Sequence, residues 1–194
     1  MELTSTDGRV SEERHDASLD DSLAMEARMN AEAFAPLYER HTVSVYRYLR
    51  ARGATETDAA ELTAVTFERA MRHIDRYRPG GSGFAPWLFR IARNASIDAS
   101  RRAHTRWVDL DRLSHLVAPG PSPEETAIAN EERRWILGVV ARLPSIQRDV
   151  LALRFAAGLS GREIAAVVGK SEAATRKILS RSLATLQEAA GHDE

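Results

Sequence analysis

Between residues 76 and 106 the chain carries seven arginines (Arg76, Arg78, Arg90, Arg93, Arg101, Arg102 and Arg106) against a single acid, Asp98. Tyr77, Phe84, Trp87 and Phe89 are interleaved with them. Guanidinium groups neutralise phosphates, and aromatic faces stack on unpaired bases whatever their identity. The combination suits single-stranded or melting DNA better than intact duplex. Taken singly, each aromatic fits a helix core; it is the cluster that points to nucleic acid.

A second constellation occupies residues 161–179, Gly-Arg-Glu-Ile-Ala-Ala-Val-Val-Gly-Lys-Ser-Glu-Ala-Ala-Thr-Arg-Lys-Ile-Leu. Small Ala165 lets two helices cross closely, Gly169 supplies the turn, and Ile164, Val168 and Ile178 pack the inner faces. This is helix-turn-helix logic, in which the second helix presents its N-terminal side chains to base edges in the major groove. Ser171 caps that helix, which exposes Glu172, Arg176, Lys177 and Arg181. Both lysines of the chain, Lys170 and Lys177, fall in this motif. The competing reading is an ordinary helical hairpin with a solvated basic face.

Other chemistry finds little support. There is no cysteine, which removes disulfides, thiolate catalysis and cysteine-ligated metal together. The six histidines include no i, i+4 pair, so a helical zinc site is not expected. Gly80-Gly81-Ser82-Gly83 lacks the Lys-Ser/Thr that completes a phosphate-cradling loop, and reads as a hinge. The expectation is a protein with no cofactor, no metal and no catalysis of its own.

The elements that carry these groups are helical throughout. Phe34, Leu37, Tyr38, His41, Val45 and Leu49 follow helical spacing, with Gly53 as the stop. Thr57 is the expected cap of a second helix carrying Leu62, Thr66, Phe67, Ala70 and Ile74. A third runs from Phe84 through Leu88, Ile91, Ala92 and Ala95 toward Arg102. Further helices are expected around 124–142, 145–157, 161–168 and 171–189, broken by Pro144, Gly158 and Gly169. No stretch alternates like a strand. The fold class is all-α: two small helical domains joined by a flexible linker, the second containing a helix-turn-helix.

At roughly 100–200 residues per domain, 194 residues allow one ordinary domain or two small ones. Charge divides the chain further. Residues 1–30 hold eight acids and three arginines and read as a disordered or loosely helical acidic arm. Residues 31–107 hold thirteen arginines and eight acids. Residues 108–130 are acidic and contain Pro119, Pro121 and Pro123, which cannot sit inside a helix, so they form the linker. Residues 131–190 form the second domain, and the two basic segments suggest modules facing a polyanion. With no apolar run near the roughly 18 residues of a membrane span, and no basic-then-apolar leader, the expected location is cytoplasmic.

Two blocks of this sequence resemble a known family. Asp75-Arg-Tyr-Arg-Pro, followed by Phe84-Ala-Pro-Trp-Leu-Phe-Arg-Ile-Ala-Arg-Asn, is similar to the promoter-melting part of region 2 of bacterial sigma factors. Ala141-Arg-Leu-Pro, Arg148-Asp-Val-Leu-Ala-Leu-Arg-Phe and Gly158-Leu-Ser-Gly-Arg-Glu-Ile-Ala are similar to region 4. Two regions joined by a linker resemble the extracytoplasmic-function subfamily. The resemblance implies an alternative sigma factor that directs core RNA polymerase to specific promoters. Region 2 then recognises and opens the −10 element, through Tyr77, Phe84, Trp87, Arg90, Arg93, Asn94, Arg101 and Arg102. Region 4 reads the −35 element through Arg162, Ser171, Arg176, Lys177 and Arg181. Asp58, Glu61, Thr66 and Arg69 meet the clamp helices of the polymerase largest subunit, and the flap receives region 4. An anti-sigma factor is a further partner that the resemblance allows; membrane insertion is not implied.

Three departures from the family pattern stand out. Ala64 and Val65, in Glu61-Leu-Thr-Ala-Val-Thr-Phe67, replace a polar and an acidic side chain of the clamp-binding helix. Ala174-Thr175 replaces the usual Thr-Val, and Ile178 stands where a basic residue is common. Beyond Arg181 the basic tail is replaced by Ser-Leu-Ala-Thr-Leu-Gln-Glu. Ala64, Val65 and Ile178 motivate one alternative, a sigma-like protein acting by binding an anti-sigma factor or another protein; a plain helix-turn-helix regulator is a further alternative, which leaves the aromatic and arginine block at 76–106 unexplained.

Overall fold

The computed structural model describes residues 17–104 and 138–190, and these form helices and turns, with no strand among them. Residues 17–26 form α1. A 3-10 turn at Ala31–Phe34 leads into α2 (Ala35–Ala51), with Pro36 in its first turn, where a missing N–H costs nothing. Helix α3 (Glu56–Arg72) and a 3-10 turn at Ile74–Arg76 follow, then α4 (Phe84–His104). The second half has helical residues 138–142, α5 (Ser145–Leu151) continued by a π turn at Ala152–Ala156, α6 (Gly161–Val168) and α7 (Glu172–Ala190). The expected linker at 108–130 lies outside the described residues.

Local rules account for most boundaries. Helix α3 is capped by Thr55 rather than Thr57. Thr55 Oγ1 accepts the Asp58 N–H at 3.1 Å and donates to the Asp58 carboxylate at 2.7 Å. Thr57 has Ala60 three residues on, which can return no such bond. Helix α6 begins with a full capping box: Glu163 N–H donates to Ser160 Oγ, and Ser160 N–H returns a 2.8 Å bond to the Glu163 carboxylate. Gly169 ends α6 in the left-handed region, at φ 67. A Cβ there would meet nothing within 4 Å, so only backbone strain opposes a side chain. Gly169→Ala is therefore expected to cost about 1–2 kcal/mol, read as a lower urea midpoint at unchanged slope.

The acidic arm is in part a docked helix. Of the segment expected to be disordered or loosely helical, residues 17–26 are helix α1, docked by buried Asp20, Ala24 and Ala27. Asp20 accepts from Arg40 Nε at 2.8 Å and lies 2.6 Å from His41 Nε2. Alanine makes a narrow apolar stripe, and the fold completes it with ion pairs rather than with apolar bulk. The two domains are not separate here either. One hydrophobic cluster runs from Leu37, Leu49 and Leu88 to Val150, Leu153 and Ile164. Helix α4 packs on α6, and α2 packs on the π turn.

Candidate nucleic-acid interface

The loop after Ile74–Arg76 delivers Tyr77 to the base of α4. Tyr77 is 2% exposed, and its hydroxyl donates to Asp21 Oδ1 at 2.5 Å. The same oxygen accepts the Phe84 N–H at 3.1 Å. One carboxylate from α1 thereby satisfies the first N–H of α4 and pins the loop that precedes it. Burial, with the Asp21 hydrogen bond, holds the Tyr77 phenol well above its ordinary range. The rings of Tyr77, Phe84 and Trp87 meet at 5.4–5.7 Å, and His41 closes on Phe84 at 5.5 Å. Gly80 and Gly83 carry the loop through positive φ.

This arrangement sorts the candidate −10 residues. Tyr77 and Phe84 are core, at 2% and 1% exposure; in this structure they shape the site from inside rather than offering a face to a base. Trp87 is half-buried, and Arg90, Asn94, Arg101 and Arg102 are exposed. Positions 87, 90, 94 and 101 recur at helical intervals, so Trp87, Arg90, Asn94 and Arg101 share one face of α4. An aromatic edge beside two guanidiniums and an amide suits unpaired bases on a phosphate chain. Arg93 lies off this stripe, and its Nε donates to Asp149 Oδ2 at 2.7 Å.

On α7 the inner positions are Thr175 and Ser182, buried, with Ile178 and Leu179 packed on the core. Arg176, Lys177 and Arg181 therefore face outward, and Arg162 of α6 is exposed beside them in sequence order. Ser171 Oγ accepts the Ala174 N–H at 3.2 Å, which starts α7 at the position expected of its cap. Arg176 pairs with Glu172 at 3.5 Å, both largely exposed, an i, i+4 pair of little strength.

Of the four residues expected to meet the polymerase, Asp58 and Glu61 are exposed and Arg69 is half-buried, pairing with Asp98 at 3.3 Å. Thr66 is fully buried, with its hydroxyl donating to the Leu62 carbonyl at 2.6 Å. It is a core residue here and presents nothing outward. Sequence reasoning missed buried Asp20 and Asp149 and half-buried Asp21, the acids that place the basic and aromatic groups. Their only local signal is that each stands beside helical apolar positions.

A family model described as Sigma-70 region 2 matches residues 37–106, and one described as Sigma-70, region 4 matches residues 133–186. The chain is 34% identical over 157 residues to the ECF RNA polymerase sigma factor BldN of Streptomyces coelicolor, covering 80% of this chain and 60% of that protein. It therefore spans three-fifths of BldN's length. It is 30% identical over 171 residues to RNA polymerase sigma factor CnrH of Cupriavidus metallidurans, covering 84% and 89%. The solved structure of CnrH in complex with the cytosolic domain of CnrY superposes with a TM-score of 0.70 at 27% identity, covering 91% of this chain and 99% of that one.

Proposed function

Because this chain belongs to the sigma-70 family, among its extracytoplasmic-function sigma factors, we propose that it directs core RNA polymerase to a specific set of promoters. The observation that carries this reading is the pair of outward basic faces, one on α4 and one on α7, each within a segment matched by its own sigma region. Residues 31–107 form the −10 unit, 108–130 the linker and 131–190 the −35 unit. The protein performs no catalysis itself; it supplies binding energy and the polymerase supplies the chemistry. None of the described helices is long and apolar enough to cross a membrane, and a cytoplasmic place beside the polymerase fits that role.

In this mechanism α7 enters the major groove of the −35 element, and Arg176 and Arg181 read base edges and phosphates. The α4 face then receives the non-template strand as the −10 element opens. Extruding a base costs a few kcal/mol of stacking and pairing, which Trp87, Asn94 and the flanking arginines return. Asp58, Glu61 and Arg69 on α3 face the polymerase clamp, with the flap against the second unit. An anti-sigma factor is the natural regulator, since the CnrH structure pairs a relative with the cytosolic domain of CnrY.

The test is transcription in vitro with purified core polymerase on genomic fragments, which this reading expects to yield new start sites. Asn94→Ala separates opening from folding. It is expected to slow open-complex formation roughly tenfold on duplex promoters, and to have little effect on templates already mismatched across the −10 element. Equal defects on the two templates would place Asn94 in folding instead.

A further inference from the structure

Beyond promoter reading, and resting on it for the role of Arg93, we infer that Asp149 is an internal counter-ion. It holds the two halves closed on each other and keeps Arg93 from nucleic acid. Asp149 sits on α5, and its side chain is 1% exposed. Arg93 Nε, from α4, donates to its Oδ2 at 2.7 Å, and Arg52 Nε, at the end of α2, lies 2.8 Å from its Oδ1. The Arg52 N–H is not aimed at that oxygen, which has no hydrogen-bond donor. Arg52 therefore acts through charge, while the directional bond belongs to Arg93. Arg52 also reaches the Tyr48 hydroxyl at 3.4 Å and lies 5.8 Å over that ring, so its guanidinium is fixed in place.

Both arginines belong to the first half and the acid to the second. A carboxylate this deep is tolerable only while cations accompany it. The converse also holds: Arg148 is the acid's immediate neighbour, and burial with the charge of Arg52 pulls its pKa down. Two guanidiniums thus hold one carboxylate, while the Arg148 guanidinium turns to the Ala141 carbonyl at 3.1 Å, and removing that carboxylate leaves Arg52 and Arg93 without their counter-charge at the seam. The π turn that follows seals it, with Ala152 and Leu153 buried where the turn meets α2.

The bond Arg93 makes to Asp149 is of the charge-assisted kind it would make to a phosphate oxygen. Its Nε–H serves one acceptor at a time, so nucleic acid and Asp149 compete for it. Closure does not hide the other reading face, because Arg176, Lys177 and Arg181 remain exposed. The closed chain can still meet duplex DNA through α7 while Arg93 is withheld. Opening then becomes a step that binding partners must drive.

The chain has no cysteine, so T57C with Q187C, both at exposed positions, accepts a donor–acceptor dye pair at two defined sites in the full-length protein. D149N, which keeps the shape and removes the charge, is expected to lower energy transfer. It is also expected to tighten binding of a fluorescein-labelled oligo-dT strand about tenfold, as the competent fraction rises. D149E is expected to stay closed, and R52Q to fall between. If D149N loses its helical circular dichroism, R52Q, which keeps the directional Arg93 pair, asks the same question. Unchanged transfer in folded D149N, or in R52Q when D149N does not fold, overturns the latch. Lower transfer with no gain in oligo-dT binding overturns the masking of Arg93. Energy transfer needs neither polymerase nor promoter, so failure of the promoter reading, seen as no new start sites, is a separate result.

Discussion

Phe84→Ala is expected to destabilise the protein by about 3–5 kcal/mol, the usual range for emptying a buried phenylalanine site. At this chain length that corresponds to a fall of roughly 6–20 °C in the thermal midpoint. The ring is 1% exposed and packs against Tyr77, Trp87 and His41, so its removal leaves a cavity that Tyr77, pinned by Asp21, and His41, paired with Asp20, cannot easily fill. Phe84→Leu should recover much of the loss, because volume rather than aromaticity supports the site. The same substitution distinguishes core from contact. A core residue weakens duplex and pre-melted templates equally and tracks the melting curve. Wild-type melting combined with a selective defect in promoter opening would show that Phe84 touches DNA after all.

Arg176→Ala is expected to leave melting unchanged and to remove promoter choice. The side chain is 76% exposed and its pairing with Glu172 is a weak surface contact, so folding loses little. A bidentate base contact is worth about 1–3 kcal/mol of discrimination, or roughly 5- to 150-fold between the right and wrong −35 base pair. Competition binding with single-base −35 variants across a salt series reads this directly. A phosphate contact would behave differently, weakening every sequence alike and lowering the salt slope by about one. Undiminished discrimination would remove Arg176 from the reading face.

The features legible in the residues alone are those encoded over a few positions. Helical spacing from Leu37 to Leu49, and from Leu88 to Ala95, follows from a period of 3.6 residues and needs no partner. The turn at Gly169 and the cap at Ser171 are likewise local, which is why the helix-turn-helix could be placed from its own letters. Charge segregation is additive along the chain, so the basic blocks were visible without a fold.

Tertiary structure decided which of those groups are free to act. Seven arginines between 76 and 106 look equivalent by type, yet Arg90 and Arg101 face outward while Arg93 is held by an acid 56 residues away. Tyr77 and Phe84 are pinned by Asp21, at separations of 56 and 63 residues. Asp20, Asp21 and Asp149 have the local look of solvated helix acids. What makes Asp20 and Asp149 buried anchors, and half-buried Asp21 a pin, is the arrival of cations and donors from other elements, since an acid enters a core only when its counter-charge is delivered there. Such pairings depend on how helices pack, and no spacing within one helix specifies the partner on another. Local periodicity therefore determined the helices and their basic faces, and long-range charge pairing determined which basic groups those faces keep available.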